Sequence, residues 1–249
     1  MRFHRSRIRS GSMTAASERA NLKRLGLHQP VAHGSLRGLQ NTKQTLSSPK
    51  LRSADKGLIY ELPSIVERID LSTLFCADQP LVVELGSGDG SFLLEYARAN
   101  PQWNFIGVER LLGRIRKIDR KGHRLGVTNL RGVRIESGYF LEYLLPKHSA
   151  EALHIYFPDP WPKLKHRRHR FINERFPSLA EQSLKPQGTV YLRTDDLDYF
   201  SQMLRVFAED NRFQRINTPT DLLEFKTDFE VDFNARGITT QHATYRLVG

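Results

Sequence analysis

Leu81-Val82-Val83-Glu84-Leu85-Gly86-Ser87-Gly88-Asp89-Gly90 is the stretch that decides the fold. A short β-prone run enters a cluster of three glycines, and Phe92, Leu93, Tyr96 and Ala97 then fall at helical spacing. Strand, glycine turn and helix in that order open a βαβ unit, in which the turn lies at the carboxyl end of the strand.

The same alternation continues downstream. Asn104-Phe105-Ile106-Gly107-Val108-Glu109 reads as a second strand, followed by a basic helix to about Arg124. Leu130 to Ile135 is a third strand, and Leu153-His154-Ile155-Tyr156-Phe157 a fourth, stopped by Pro158. Ile172, Phe176, Leu179 and Leu184 predict a helix ended by Pro186 and Gly188. Thr189-Val190-Tyr191-Leu192 follows as a fifth strand. Tyr199, Phe200, Met203, Leu204 and Phe207 return to helical spacing. Strands alternating with helices imply a doubly wound α/β domain, a parallel sheet covered on both faces. Ligands then bind at the strands' carboxyl ends, which directs attention to loops 86–90, 109–110, 136–139, 158–163 and 194–196.

Composition sets the outer bounds. The 249 residues are 39% hydrophobic and 26% charged, as in a globular protein of one domain plus an appendage. No stretch approaches the roughly 18 apolar residues of a membrane span. Cys76 is the only cysteine, so an intramolecular disulfide is impossible and a reducing compartment, the cytoplasm, is the expectation. Of the net charge of +11, ten units sit in residues 1–57, where twelve Lys/Arg face Glu18 and Asp55. The expected division is a basic extension over 1–57 and a nearly neutral domain over 58–249. Three readings of the extension stay open: an arm for a polyanion, an organelle transit peptide, and a solubilising tail.

The glycine loop narrows the ligand. Dinucleotide sites use G-x-G-x-x-G, whose helix N-terminus holds a pyrophosphate. Here the spacing is G-x-G-x-G, with Glu84 two residues before Gly86. A carboxylate at that point suits a cationic amino-acid end, such as that of S-adenosylmethionine (SAM), better than a diphosphate. Glu109 closes the second strand, where an acid can bind ribose hydroxyls of either SAM or NAD. A nicotinamide oxidoreductase is therefore the enzymatic rival, and a non-catalytic RNA-binding module is the other alternative.

The second informative loop is Phe157-Pro158-Asp159-Pro160-Trp161-Pro162-Lys163, followed by Leu164-Lys165-His166-Arg167-Arg168-His169-Arg170. Three prolines in five positions stiffen it, because each fixes φ and restricts its predecessor. Such a loop holds Asp159 in one place beside an aromatic plane, with Trp161 or Phe157 available to stack on a base. The basic run can grip phosphates. Three arginines among His166 and His169 disfavour a metal, and none is expected.

These motifs resemble those of the bacterial tRNA (guanine-N7-)-methyltransferases, within the class I SAM-dependent methyltransferase superfamily. The matching residues are Glu84-Leu85-Gly86-Ser87-Gly88, Gly107-Val108-Glu109, Phe157 to Lys163 with its basic successor, Thr194-Asp195, and Thr227-Asp228-Phe229-Glu230. The resemblance spans about Leu81 to Leu247, and 29–55 aligns with nothing in the family. It implies a Rossmann-like, mostly parallel seven-stranded sheet. It also implies methyl transfer from SAM to N7 of a tRNA guanine, the variable-loop guanine at position 46, to form 7-methylguanosine. Glu84, Gly86, Gly88, Glu109, Glu136 and Asp159 would bind SAM, with Asp159 central to catalysis. Lys163, Asp195, Thr227, Asp228, Phe229 and Glu230 would bind the substrate guanine. Lys165, His166, Arg167, Arg168, His169 and Arg170 would bind RNA. The family usually carries Asp where this chain has Glu136. The partner is tRNA, with no membrane; monomer and homodimer both stay open.

The chemistry is consistent with that resemblance. Guanine N7 has an in-plane lone pair and no proton, so it attacks the sulfonium methyl in line without a general base. Catalysis is then mostly positioning, worth up to ~7–11 kcal/mol, plus carboxylates that favour the cationic product. Asp195 or Glu230 could accept from the N1–H and exocyclic amine of guanine. Cytosine-C5 transfer would need a cysteine nucleophile, yet Cys76 precedes the first sheet strand. Adenine-N6 enzymes typically carry Asp/Asn-Pro-Pro-aromatic, where this chain has Asp-Pro-Trp-Pro.

Overall fold

The computed structural model describes residues 57–248. Apart from Gly57, the basic extension read over 1–57 lies outside the described residues.

All five strands read from the sequence are present, and three more join them in the sheet. β1 (Ile59–Tyr60), β2 (Leu81–Leu85), β3 (Asn104–Val108), β4 (Leu130–Val133), β5 (Ala150–Tyr156), β6 (Leu184–Thr194), β7 (Phe213–Ile216) and β8 (Gln241–Leu247) join in the order β1-β4-β3-β2-β5-β6-β8-β7. The first six of that order pair in parallel, and β8 runs antiparallel to both β6 and β7. Eight strands stand where seven were expected. The extra one is the two-residue β1, which pairs with Gly132 and Val133 at the sheet edge. The direction of winding reverses between β2 and β5, so a crevice opens at their carboxyl ends.

Helices cover both faces. On one side lie α1 (Ser91–Ala99) and α2 (Leu112–Leu125), which bury Phe92, Leu93, Leu94, Ile115 and Ile118 against Val82, Phe105 and Leu130. On the other, α3 (Phe176–Ser183) and α4 (Leu197–Ala208) bury Phe176, Ala180, Tyr199 and Met203 against Val83, Ile106 and Val190. Every residue of β2 and β3 is buried, as a strand covered on both faces requires. Two short helices, α5 (Thr220–Glu224) and α6 (Asp228–Ala235), precede β8. Gly90 is obligatory at the start of α1. Its φ is +79°, and a Cβ there would lie 2.8 Å from Ile118 Cγ1, so glycine sets how closely α1 and α2 approach.

One boundary departs from expectation. Pro186 and Gly188 do not end a helix before a separate strand; α3 stops at Ser183 and β6 begins at once with Leu184. The register with β5 shifts between Ala150 and Ala152, and Gln187 takes φ +66°. Such an irregularity tolerates a proline that cannot donate to the ladder.

Candidate active site

Glu84, Glu109, Asp159 and Asp195 lie at or just beyond the carboxyl ends of β2, β3, β5 and β6, four consecutive strands of the sheet. The topology therefore brings the sequence-predicted acids to one rim.

Glu84 is 3% exposed, and its Oε2 meets no hydrogen-bond partner. Burial pushes its carboxyl up to about 8; Arg193 opposes the shift and Glu109 adds to it. A buried, unpartnered carboxylate is costly on its own. Above it, Gly86 and Gly88 take φ +79° and +57°, a conformation that excludes most side chains. A Cβ at Gly86 would meet nothing within 4 Å, so the loop's bare backbone faces open space. An open glycine cradle beside an orphaned acid fits a ligand with a cationic amino-acid end. Glu109 is held rigidly nearby: Gly88 N–H donates to Oε2 at 3.2 Å and Leu111 N–H to Oε1 at 2.8 Å. Glu136 is exposed and caps the short helical turn Ser137–Tyr139, its two oxygens accepting from Gly138 and Tyr139 N–H.

Across the crevice, the proline loop leaves β5 under backbone strain. Phe157 and Trp161 take φ +50° and +44°, left-handed values that side chains of this bulk rarely adopt. The loop is pinned at both ends. Phe157 N–H donates to Arg193 O at 2.8 Å, and Arg170 Nε donates to Pro160 O at 2.7 Å. Between them Asp159 is exposed. Trp161 is exposed, its ring near His166 and His169 at centroid distances of 5.9 and 5.3 Å.

The basic run divides. Lys163, Lys165, Arg168 and His169 are exposed and His166 partly so, while Arg167 pairs with Asp198 at 3.0 Å. Arg170 is different, at 1% exposure. It binds Pro160 O, Gln202 Oε1 and Asp198 Oδ2, with its guanidinium 4.8 Å from the Tyr199 ring centre. The structure places it under the loop rather than on the surface.

The Thr227–Glu230 motif is the N-terminus of α6. Thr227 Oγ1 accepts from Glu230 N–H at 3.0 Å, and Asp228 N–H donates to Ser91 Oγ of α1 at 3.0 Å. Phe229 is exposed and packs against Phe157 and Phe233. Glu230 is 3% exposed, with Oε2 2.8 Å from Arg193 Nη1. Its carboxylate thus faces inward, and Asp195 is the more accessible of the two acids considered for the guanine edge.

Arg193, absent from the sequence reading, is buried at 1% exposure. An arginine inside the β6 run, two residues before Asp195, was the available signal, since a charge in a central strand demands a partner. His154 was missed too. It is fully buried beside Phe92 and Tyr191, and burial first, then Arg193, holds it neutral. Among the described residues, no group of three His, Cys, Asp or Glu is placed to hold a metal ion, and no helix is long and apolar enough to cross a membrane.

A family model described as "Putative methyltransferase" matches residues 78–247. A tRNA (guanine-N(7)-)-methyltransferase of Nitrosomonas europaea is 37% identical over 169 residues, 65% of this chain and 71% of that protein. One from Cronobacter sakazakii is 32% identical over 183 residues, 73% of this chain and 77% of that protein. Among solved structures, the 16S rRNA methyltransferase KamB superposes with a TM-score of 0.53 at 15% identity, covering 74% of this chain and 95% of its own. That last likeness concerns the fold alone.

Proposed function

Because the chain belongs to the tRNA (guanine-N7-)-methyltransferase family, we propose that the crevice between β2 and β5 is where it joins SAM to a tRNA guanine. The protein is a SAM-dependent methyltransferase acting on guanine N7 in tRNA. The observation that carries the site assignment is the unpartnered, buried Glu84 carboxylate beneath the open glycine loop, with the Asp159 loop leaving the adjacent strand β5.

SAM supplies an electrophilic methyl on a sulfonium, and guanine N7 takes it with a lone pair, leaving positive charge on the purine. Glu84 receives the ligand's ammonium. The glycine loop lets the backbone approach without Cβ atoms, and Glu109, fixed by two N–H groups, keeps lone pairs for ribose hydroxyls. Glu136, already a helix cap, reaches the cofactor only with its remaining lone pairs. Asp159 stands where charge develops and is preorganised by the strained loop, as electrostatic catalysis requires. Asp195 reads the N1–H and amine of guanine. Thr227, Asp228 and Phe229 form the opposite wall, with Phe229 offering a ring face. Lys163, Lys165, His166, Arg168 and His169 hold phosphates, and the 1–57 extension adds its charge as a second RNA contact in a cytoplasmic enzyme.

Unmodified tRNA incubated with the protein and methyl-labelled SAM tests this directly. The label is expected on N7 of the variable-loop guanine at position 46. Label on another base, or none, overturns it.

A further inference from the structure

Arg193 joins three parts of the site that the sequence keeps far apart. Its main chain belongs to β6, where its carbonyl accepts Phe157 N–H and so anchors the root of the Asp159 loop. Its side chain lies on the α1 side of the sheet, 4.2 Å from the Tyr156 ring centre and 5.6 Å from that of Phe92, the second residue of α1. The guanidinium then donates to Leu222 O at 2.8 Å, Phe225 O at 2.7 Å and Glu230 Oε2 at 2.8 Å. Those acceptors bracket Lys226–Phe229, the turn whose Asp228 N–H reaches Ser91 at the head of α1. α5 and α6 are only five and eight residues long. Helices of that length have little stability of their own, so tertiary contacts must hold them.

We propose that Arg193 is a positioning residue for the tRNA side of the reaction, fixing the Thr227–Phe229 turn against the head of α1 with Glu230 as its counter-ion. The inference rests on the functional reading above and gives Glu230 a role distinct from reading the base. Geometry favours arginine here, because a planar fork can serve two carbonyls and a carboxylate at once, whereas a lysine ammonium is a single point. Aromatic faces on two sides replace the water that the buried cation lacks. His154 is neutral, and His242 is pushed below its ordinary value by burial and by Arg193 itself; Glu84, which the Arg193 charge draws down, makes no hydrogen bond to Arg193.

The test compares the full chain with Arg193→Met, Arg193→Lys, Glu230→Gln and the double variant Arg193→Met/Glu230→Gln. Measured are kcat and KM for unmodified tRNA, SAM affinity by calorimetry, and amide hydrogen exchange across the chain. Arg193→Met is expected to raise KM for tRNA at least tenfold and lower kcat at saturating SAM, and to weaken SAM binding because the charge that draws Glu84 down is lost; Glu230→Gln, which keeps that charge, should raise KM for tRNA with SAM affinity kept within twofold. Exchange should accelerate over 220–235 while β2, β3 and β5 stay protected. Arg193→Lys should fall between it and the wild type, and the double variant should be no worse than the poorer single. Unchanged KM and kcat with a lower melting temperature would overturn the proposal, as would SAM affinity falling in step with KM in Glu230→Gln. Should Arg193→Met fail to fold, Glu230→Gln, which preserves both carbonyl contacts, decides by the same criteria. If the wild type methylates no tRNA, the functional reading has failed instead; unaltered exchange over 220–235 in the variants would then overturn the clamp on its own.

Discussion

Glu84→Gln separates the cost of a buried acid from its use. In the free protein the carboxyl titrates near 8, against 4.5 for an ordinary glutamate, chiefly through burial. Between those values the native state holds a proton that the unfolded chain has released. Stability therefore falls as pH rises from about 4.5 to 8, by at most about 5 kcal/mol at roughly 1.4 kcal/mol per unit. Glutamine never ionises. The variant should match the wild type in urea unfolding at pH 5 and exceed it by several kcal/mol at pH 8.5. SAM binding runs the other way, because the ammonium needs the ionised acid. Wild-type affinity should climb close to tenfold per unit from pH 6 to 7 and level off near 7.5–8, where an α-amino group loses its own proton. Calorimetry at pH 6.5 in two buffers of different ionisation enthalpy should show release of close to one proton per SAM, and Glu84→Gln should bind weakly with no release. A wild type that binds SAM equally well at pH 6 and 7.5 without releasing a proton would refute the assignment of Glu84 to the ammonium.

Other perturbations have separable signatures. Asp159→Ala should cut kcat by about 10²–10³-fold while leaving tRNA affinity within twofold in a filter-binding assay; a parallel loss of affinity would make the residue a tRNA contact instead. Lys165→Ala with Arg168→Ala should weaken tRNA binding most at low salt and lower the slope of log affinity against log salt by about 0.7–0.9 for each phosphate no longer neutralised. Arg170→Ala should leave that slope alone and lower kcat through the loosened Pro160 carbonyl. Gly90→Ala should lower the melting temperature by several degrees, since it combines φ +79° with a clash against Ile118; an unchanged value would show that α1 and α2 are not closely set there.

Five strands and the loops that matter were legible because each depends on local information. Buried strands read as continuous apolar runs, glycines announce the turn at 86–90, and prolines announce the stiff loop at 158–162. The sequence concealed features that are settled at a distance. β1 is two residues long and exists only through its pairing with β4. β7 is only four residues long, and β8 comes after a segment of small helices that no single period describes. Pro186 reads as a break, because the register shift that accommodates it depends on β5. Charged residues mislead in the same way. Arg170 looks like part of an exposed basic run and Glu230 like a surface acid, yet their partners Asp198 and Arg193 lie 28 and 37 residues away in the chain. Breaking the second pair by removing one member would leave an uncompensated buried charge, at a cost of about 3–5 kcal/mol.

The claim beneath all of this is that acids ending successive parallel strands enclose one pocket for the sulfonium and the purine together. A crystal structure of the protein with S-adenosylhomocysteine and its tRNA measures that directly. The account predicts the amino group within hydrogen-bond distance of Glu84, the ribose on Glu109, and the target guanine between Asp159 and the Thr227–Phe229 turn with N7 toward the sulfur. A nucleoside or guanine seated away from the β2–β5 crevice, with Glu84 still unpartnered, would contradict it.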